Sequence, residues 1–67
     1  MPDRRVKYTL LALRSSLLEL MRKKDISRIT VKELCERADV NRGTFYAHYA
    51  SPVDLLEQIE RELLEEV

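Results

Sequence analysis

Apolar side chains recur along the first third of the chain at the spacing of one helical face. They fall three or four residues apart, as in a helix that turns ~100° per residue, and they are Val6, Leu10, Leu13, Leu17 and Leu20. Three consecutive cations end the pattern at Lys24, where positive charge suits the helix dipole. The pattern predicts a first helix over about residues 4–24, closed by Asp25 in a left-handed conformation.

Three polar residues predict where further helices begin. Thr30 opens a capping box with Glu33, in which the hydroxyl and the carboxylate each bond a free backbone amide. Asn41 is a preferred N-cap, and Ser51 precedes a proline, which suits the first helical position because it has no amide to satisfy. We expect helices over about residues 31–38, 42–49 and 52–66.

The apolar positions of these segments also share single faces. In the second helix they are Val31, Leu34, Cys35 and Ala38, and in the fourth they are Leu55, Leu56, Ile59, Leu63 and Val67. The 67 residues contain one glycine and two prolines, few for a β-rich fold that needs many turns. The predicted fold class is all-α: a three-helix bundle with a homeodomain-like helix-turn-helix, followed by a fourth connecting helix.

Composition excludes several classes of function. The only cysteine, Cys35, falls on the buried face of its helix, cannot form an internal disulfide and cannot hold a metal alone. The longest apolar run, residues 10–13, is too short to cross a bilayer, and the start of the chain lacks the features of a signal peptide. One histidine and no evident pair of carboxylates leave no catalytic constellation. We expect a cytoplasmic protein that is not an enzyme, does not enter a membrane and takes no cofactor or metal.

The net charge of zero hides a strong separation of charge along the chain. Residues 1–50 hold eleven Lys or Arg and six Asp or Glu, a local net of +5, whereas residues 51–67 hold one Arg and six Asp or Glu, a local net of −5. Binding to DNA phosphates responds to the local field rather than to the total. The basic part is therefore compatible with DNA, although charges of this kind also serve only to solvate a surface.

The predicted third helix presents two unlike sides. Phe45 and Tyr49 share one side, which we expect to face the core together with Val40. The opposite side carries Gly43 and Ala47, the two smallest side chains of the segment, and a helix with so slim a ridge can lie deep in the major groove of DNA. Glycine inside a helix costs ~1 kcal/mol relative to alanine, and close approach to DNA is a reason for accepting that cost.

Polar side chains border this ridge. Thr44, Tyr46 and His48 could reach phosphates on the two strands of the groove. Arg42, at the tip of the helix, could bond guanine O6 and N7 in a bidentate contact. Each of the four could equally be an ordinary surface residue.

Three further groups also have two interpretations. Lys32 is either a surface charge or a contact in the groove. Thr30 either caps its helix only or also binds phosphate there, since helix N-termini attract anions. The Arg4-Arg5-Lys7 cluster is either a DNA-binding arm or a frayed basic end.

The stretch from Ile29 to Tyr49 resembles the N-terminal domain of TetR/AcrR-type transcriptional regulators. Its part Asn-Arg-Gly-Thr-Phe-Tyr-Ala-His-Tyr, residues 41–49, is similar to that family's recognition helix, and residues 51–56 are similar to the start of its fourth helix. The resemblance covers about residues 6–60. It implies sequence-specific binding of double-stranded DNA, with the recognition helix 42–49 in the major groove.

The resemblance also implies roles for individual residues. Arg42 and Gly43 would meet bases, with Lys32 joining them, whereas the hydroxyl and imidazole side chains would mainly contact phosphate. The full set of predicted DNA-binding residues is Thr30, Lys32, Asn41, Arg42, Gly43, Thr44, Tyr46, Ala47 and His48. The chain departs from the family at Asp25, where glycine is frequent, and at Pro52, where lysine is common, so the resemblance does not supply the phosphate contact of that lysine.

By the same resemblance, we expect the full protein to be a repressor-like regulator that binds a palindromic operator as a homodimer, its two reading helices about one DNA turn or a multiple of it apart. Whether it represses or activates stays open. A C-terminal helical domain would form the dimer and bind a small-molecule inducer. Residues 1–67 end before any such domain, so we expect them to be one helix-turn-helix domain of a longer protein, whose own oligomeric state stays open.

A helical protein-interaction module is the alternative function. Leu11, Leu18 and Leu64 lie outside the predicted core faces and could form a partner surface. The same leucines could instead pack against the absent domain.

Overall fold

Four α-helices and one 3₁₀ turn make up the computed structural model, which describes residues 4–65 and the side chains of residues 5–64. They are α1 (Arg4–Met21), the 3₁₀ turn (Ile26–Arg28), α2 (Val31–Ala38), α3 (Arg42–His48) and α4 (Pro52–Glu65). The described residues contain no β-strand, which confirms the all-α fold class. Helix α1 packs against α2 and α4, and α2 packs against α3.

One apolar core joins the four helices. Its buried members are Leu13, Leu17, Leu20, Ile29, Leu34, Cys35, Phe45, Leu55 and Ile59. The predicted helical faces therefore point inward over most of their length. They reach solvent at their outer ends, where Val6 is 39% and Leu63 is 59% exposed. Val67 and the predicted end of the fourth helix at residue 66 lie outside the described residues, as does the side chain of Arg4.

The connection between α1 and α2 differs from the prediction. Helix α1 ends at Met21 and not at Lys24, because the amides of Lys23 and Lys24 both bond to the carbonyl of Leu20, each at 3.0 Å, and so close the last turn. Asp25 is extended, with φ −68° and ψ 151°, so the prediction of a left-handed closing residue was wrong.

Asp25 instead begins the 3₁₀ turn with its side chain. Its Oδ2 accepts hydrogen bonds from the Ser27 amide at 3.1 Å and from the Ser27 hydroxyl at 2.6 Å. Aspartate side chains readily bond to the backbone two residues ahead, and that bond replaces the left-handed closure. The turn brings Ile29 into the core, with Ile26 packed against it.

The connection between α2 and α3 is the tight three-residue turn that the sequence predicts. Asp39 has φ 56°, the left-handed conformation, and its amide bonds to the Glu36 carbonyl at 3.3 Å. The Val40 amide bonds to the Cys35 carbonyl at 2.9 Å. These two bonds satisfy the open carbonyls at the end of α2 in the pattern of a Schellman motif.

Helix α4 begins where its sequence signal predicts. The Ser51 hydroxyl accepts a hydrogen bond from the Asp54 amide at 3.1 Å, and the Asp54 carboxylate accepts one from the Ala50 amide at 2.9 Å. Pro52 follows as a buried first helical residue. At the other end of the helix, the Arg14 guanidinium pairs with the Glu62 carboxylate at 2.5 Å and ties α4 to α1.

Candidate nucleic-acid interface

Helix α3 is held to the protein by a single fully buried side chain. Phe45 is 0% exposed, whereas the other six residues of the helix are all exposed. The Phe45 ring meets the Tyr46 ring edge-on at 5.5 Å and lies 5.7 Å from the half-buried ring of Tyr49. The predicted division into a core side and an outward side is therefore present, and nearly the whole surface of the helix is open to a partner.

All nine residues that the sequence nominates for DNA contact are exposed. Seven of them lie between Asn41 and His48, where Phe45 is the one buried residue. Thr30 and Lys32 lie at the start of α2. Tyr46 is 57% exposed, so much of this residue is available to a ligand.

A groove of about 510 Å³ brings part of this set together, between α2 and the first residue of α3. Its lining residues are Lys32, Cys35, Glu36, Asp39, Val40, Asn41 and Arg42. Lys32 and Arg42 thus share one surface feature although they are ten positions apart in the chain. Thr30 and the residues of α3 beyond Arg42 are not part of this groove.

The first turn of α3 is unusually close-fitting. Asn41 Oδ1 accepts a hydrogen bond from the Gly43 amide at 2.7 Å, and the Asn41 carbonyl accepts one from the Phe45 amide at 3.1 Å. A Cβ atom placed on Gly43 would lie 3.1 Å from Asn41 Oδ1. Glycine at position 43 therefore leaves room for the Asn41 side chain. This is a reason within the protein, in addition to the close approach to DNA that the sequence suggests.

Comparison with known proteins identifies the family. Residues 13–59, more than half of the chain, match the family described as "Bacterial regulatory proteins, tetR family". The chain belongs to the tetR family. This agrees with the resemblance of residues 29–49 and places the chain among DNA-binding transcriptional regulators rather than enzymes.

A curated relative in Bacillus subtilis (strain 168) supports this membership of the tetR family. It is described as "Uncharacterized HTH-type transcriptional regulator YxbF" and is 37% identical to the chain over 53 residues. The aligned region covers 79% of this chain and 14% of the relative, so the chain spans a small part of that protein's length. No solved structure matches the chain. None of the helices in residues 4–65 has the length and apolar character needed to span a membrane.

The groove of this tetR-family domain contains two acids that the sequence analysis did not nominate. Glu36 and Asp39 line it together with Lys32 and Arg42. The spacing of Lys32 and Glu36 offered a signal, because residues four apart are neighbours on a helix surface. The groove therefore presents charges of both signs, unlike a purely cationic channel for phosphate.

The predicted capping box is present at Thr30. The Thr30 hydroxyl accepts a hydrogen bond from the Glu33 amide at 3.1 Å, and Glu33 Oε2 accepts one from the Thr30 amide at 3.3 Å. The Lys24 ammonium lies 2.6 Å from Glu33 Oε1 and links the first connection to α2. The Lys24 bond first, and the Thr30 amide second, hold the pKa of the Glu33 carboxyl below its ordinary value.

Cys35 behaves as a small core residue, as the helical pattern predicts. It is 3% exposed, and burial raises the pKa of its thiol, an effect that the nearby positive charge of Arg42 partly opposes. The neutral thiol is therefore favoured over the reactive thiolate. Cys35 and Arg42 also line the same groove between α2 and α3.

Proposed function

We propose that the chain is the DNA-reading domain of a transcriptional repressor and binds double-stranded DNA sequence-specifically, with α3 in the major groove. The exposure pattern of α3 carries this proposal, because a helix that buries only Phe45 leaves its other six residues for a partner. A major groove accepts an α-helix, and the slim ridge of Gly43 and Ala47 favours deep entry. Membership of the tetR family supplies the DNA-binding context.

Base reading falls to the tip of α3 in this proposal. Arg42 is exposed and has the fork of donors that matches guanine O6 and N7. Lys32 shares its groove and joins it at the base edges or at the nearest phosphate. Gly43 approaches the bases through its backbone, and Asn41 holds the start of the helix at the DNA surface.

Phosphate contacts fall to the flanks. Thr44, Tyr46 and His48 are exposed beside the ridge and carry hydrogen-bonding groups suited to the backbone of DNA. Thr30 adds a hydroxyl at the beginning of α2, where the helix dipole favours an anion. These contacts orient the domain, whereas Arg42 discriminates between sequences.

The remaining functions belong in this proposal to a larger protein. The chain corresponds to 14% of the length of the relative that it matches. We place residues 1–67 as one helix-turn-helix domain, with a separate part that forms a homodimer and binds a small-molecule inducer. Such a dimer would recognise a palindromic operator in cytoplasmic DNA, with half-sites about one helical turn or a multiple of it apart.

Selection of binding sites from random double-stranded DNA tests the proposal. The full-length protein is used, at two salt concentrations, and the recovered sequence is then titrated with variants. We expect Arg42→Ala to lose about 1–3 kcal/mol of discrimination at one base pair. Tyr46→Phe should weaken binding to all sequences to a similar extent, because it removes a hydroxyl aimed at phosphate.

Arg61→Ala is the matched control, since it removes an exposed cation from α4 on a different element. Selection that recovers no preferred sequence would leave only nonspecific binding. Retention of full affinity by the Arg42→Ala, Tyr46→Ala double variant would show that α3 is not the reading helix.

A protein-interaction module is the second candidate function. Leu11 and Leu18 on α1 are 46% and 48% exposed, and Leu64 on α4 is 75% exposed. Exposed apolar side chains of this kind favour a protein partner or a neighbouring domain. Leu11→Ser with Leu18→Ser should disturb such an association and leave DNA affinity unchanged, which separates the two functions.

A further inference from the structure

Two kinds of N-cap begin helices α2, α3 and α4. The hydroxyls of Thr30 and Ser51 each accept from the amide three residues ahead, in both cases at 3.1 Å. Asn41 accepts instead from the amide two residues ahead, at 2.7 Å. The carboxamide oxygen therefore stands over the second residue of its helix, and that residue is the only glycine of the chain.

Asp25 also accepts from the amide two residues ahead, and the same oxygen accepts from the Ser27 hydroxyl at 2.6 Å. Its carboxylate accepts from the Ser27 amide at 3.1 Å, longer than the 2.7 Å at Gly43, and Ser27 carries a side chain. At Gly43, an added Cβ would approach Asn41 Oδ1 to 3.1 Å, closer than ordinary van der Waals contact between carbon and oxygen. A side chain on residue 43 would therefore crowd the oxygen that makes the short bond.

We propose that Gly43 is a positioning residue for α3: its lack of a Cβ lets the Asn41 side chain close on the Gly43 amide, and this bond fixes the backbone on which Arg42 stands. The expected effect on DNA affinity rests on the function proposed above for Arg42. The contact between Asn41 and Gly43 is independent of that function. The competing explanation is that glycine only clears the surface of α3 for the approach of DNA.

A double-mutant cycle separates the two explanations. Gly43→Ala, Asn41→Ser and the double variant are prepared in the full-length protein and titrated with the DNA sequence recovered by selection. Serine is chosen because hydroxyl caps in this chain reach the third amide ahead, so the oxygen should no longer stand over residue 43. Urea unfolding and hydrogen exchange of the residue 43 amide are measured on the same four proteins without DNA.

With Asn41 present, we expect Gly43→Ala to weaken DNA binding about fivefold and to speed exchange at residue 43, as for a damaged N-cap. In the Asn41→Ser background, the same substitution should weaken binding clearly less, because the crowded oxygen has gone and only the close approach of the Gly43 backbone to DNA is lost. Alanine is the better helix former, so in that background it should leave stability equal or higher.

Equal weakening by Gly43→Ala in both backgrounds would overturn the proposal, since a methyl group that blocks DNA does so with either cap. Unchanged binding and exchange in the protein that retains Asn41 would overturn it as well. If the unmodified protein selects no DNA sequence, the proposed function fails. The exchange and unfolding measurements on the free protein then still decide whether Gly43 sets the cap.

Discussion

The two connections on either side of α2 each contain an aspartate, and the two aspartates have opposite backbone conformations. Asp25 is extended, with φ −68°, and starts a 3₁₀ turn, whereas Asp39 is left-handed, with φ 56°, and ends a helix. The turn at Asp39 is held by local backbone hydrogen bonds, from the Asp39 and Val40 amides to carbonyls three and five residues earlier. The connection around Asp25 depends more on distant groups, because Ile29 enters the core and Lys24 pairs with Glu33.

The difference shows that residue type alone does not set a turn. Aspartate tolerates the left-handed region, but it also bonds well to the amide two residues ahead. Asp39 is left-handed because two bonds close the end of α2 there. Asp25 is extended because its carboxylate has both the amide and the hydroxyl of Ser27 as donors.

The largest expected effect on stability comes from the buried residue that follows each connection, Ile29 after the first and Phe45 after the second. Phe45→Ala should lower the free energy of unfolding by about 3–5 kcal/mol, because it empties a fully buried site and releases α3. Ile29→Ala should cost about 2–5 kcal/mol at the first connection. Urea unfolding measures both, with Phe45→Leu as the control that keeps most of the volume. A loss below about 1 kcal/mol at Phe45 would contradict its role as the anchor of α3.

The next effect tests the two aspartates directly. Asp39→Val should destabilise the domain by about 1–2 kcal/mol, because a β-branched residue resists a positive φ. Asp39→Gly should be neutral or stabilising, since glycine adopts that conformation freely. Asp25→Gly should instead destabilise, because φ there is ordinary and the bonds to Ser27 are lost. Thermal unfolding compares the two glycine variants, and changes of the same sign would remove the distinction drawn here.

A comparable or smaller effect is expected at the N-cap between the first connection and α2. Thr30→Ala should cost about 1 kcal/mol of stability, because it leaves the Glu33 amide without its acceptor. Thr30→Ser keeps the hydroxyl and should recover most of the loss. Denaturant midpoints of the three proteins provide the measurement. Equal values for the alanine and serine variants would show that the hydroxyl does not stabilise the helix.

The smallest effect is the response to acid of two carboxylates whose ion pairs link α2 to the first connection and to α1. The Lys24 ammonium and the Thr30 amide lower the pKa of Glu33, and the Arg37 side chain lowers that of Glu19. A carboxyl whose pKa is depressed in the folded state stabilises the fold at pH values above its ordinary pKa, which is near 4.5 for glutamate. That stabilisation is lost as the pH falls through the depressed pKa.

Melting temperatures measured from about pH 7 down to about pH 3 should therefore fall at the acid end. Glu33→Gln should flatten part of this dependence, and Glu57→Gln serves as the control on the exposed side of α4. The effect should be small, because both carboxylates are at the surface and their ion pairs are screened by solvent. An unchanged pH profile in Glu33→Gln would show that the ion pair with Lys24 does not contribute.

The helix starts were predictable from the sequence, and the end of α1 was not. Thr30, Asn41 and Ser51 each bond to an amide two or three residues ahead, so short segments contain the whole signal. The cations after Met21 are residues that a helix accepts, so the local sequence predicts a longer helix. The structure ends α1 at Met21, and the chain that follows buries Ile29 in the core. A contact of that kind depends on the folded core, which no local pattern describes.

The candidate site divides in a similar way. The burial of Phe45 and the exposure of its neighbours follow from helical spacing. The entry of Glu36 and Asp39 into the groove depends on how α2 meets α3, and the sequence analysis did not predict it. The DNA contacts themselves stay predictions, because they depend on the shape and charge of a second molecule.

The shortness of α3 has a consequence for regulation. A helix of seven residues is far below the length at which an isolated helix persists in water. The surface proposed to read DNA therefore exists only while Phe45 is seated in the core that α1, α2 and α4 share. A substitution deep in that core would lower the population of competent protein and weaken apparent affinity without touching the interface. Bound DNA, by the same coupling, would raise the melting temperature of the whole domain.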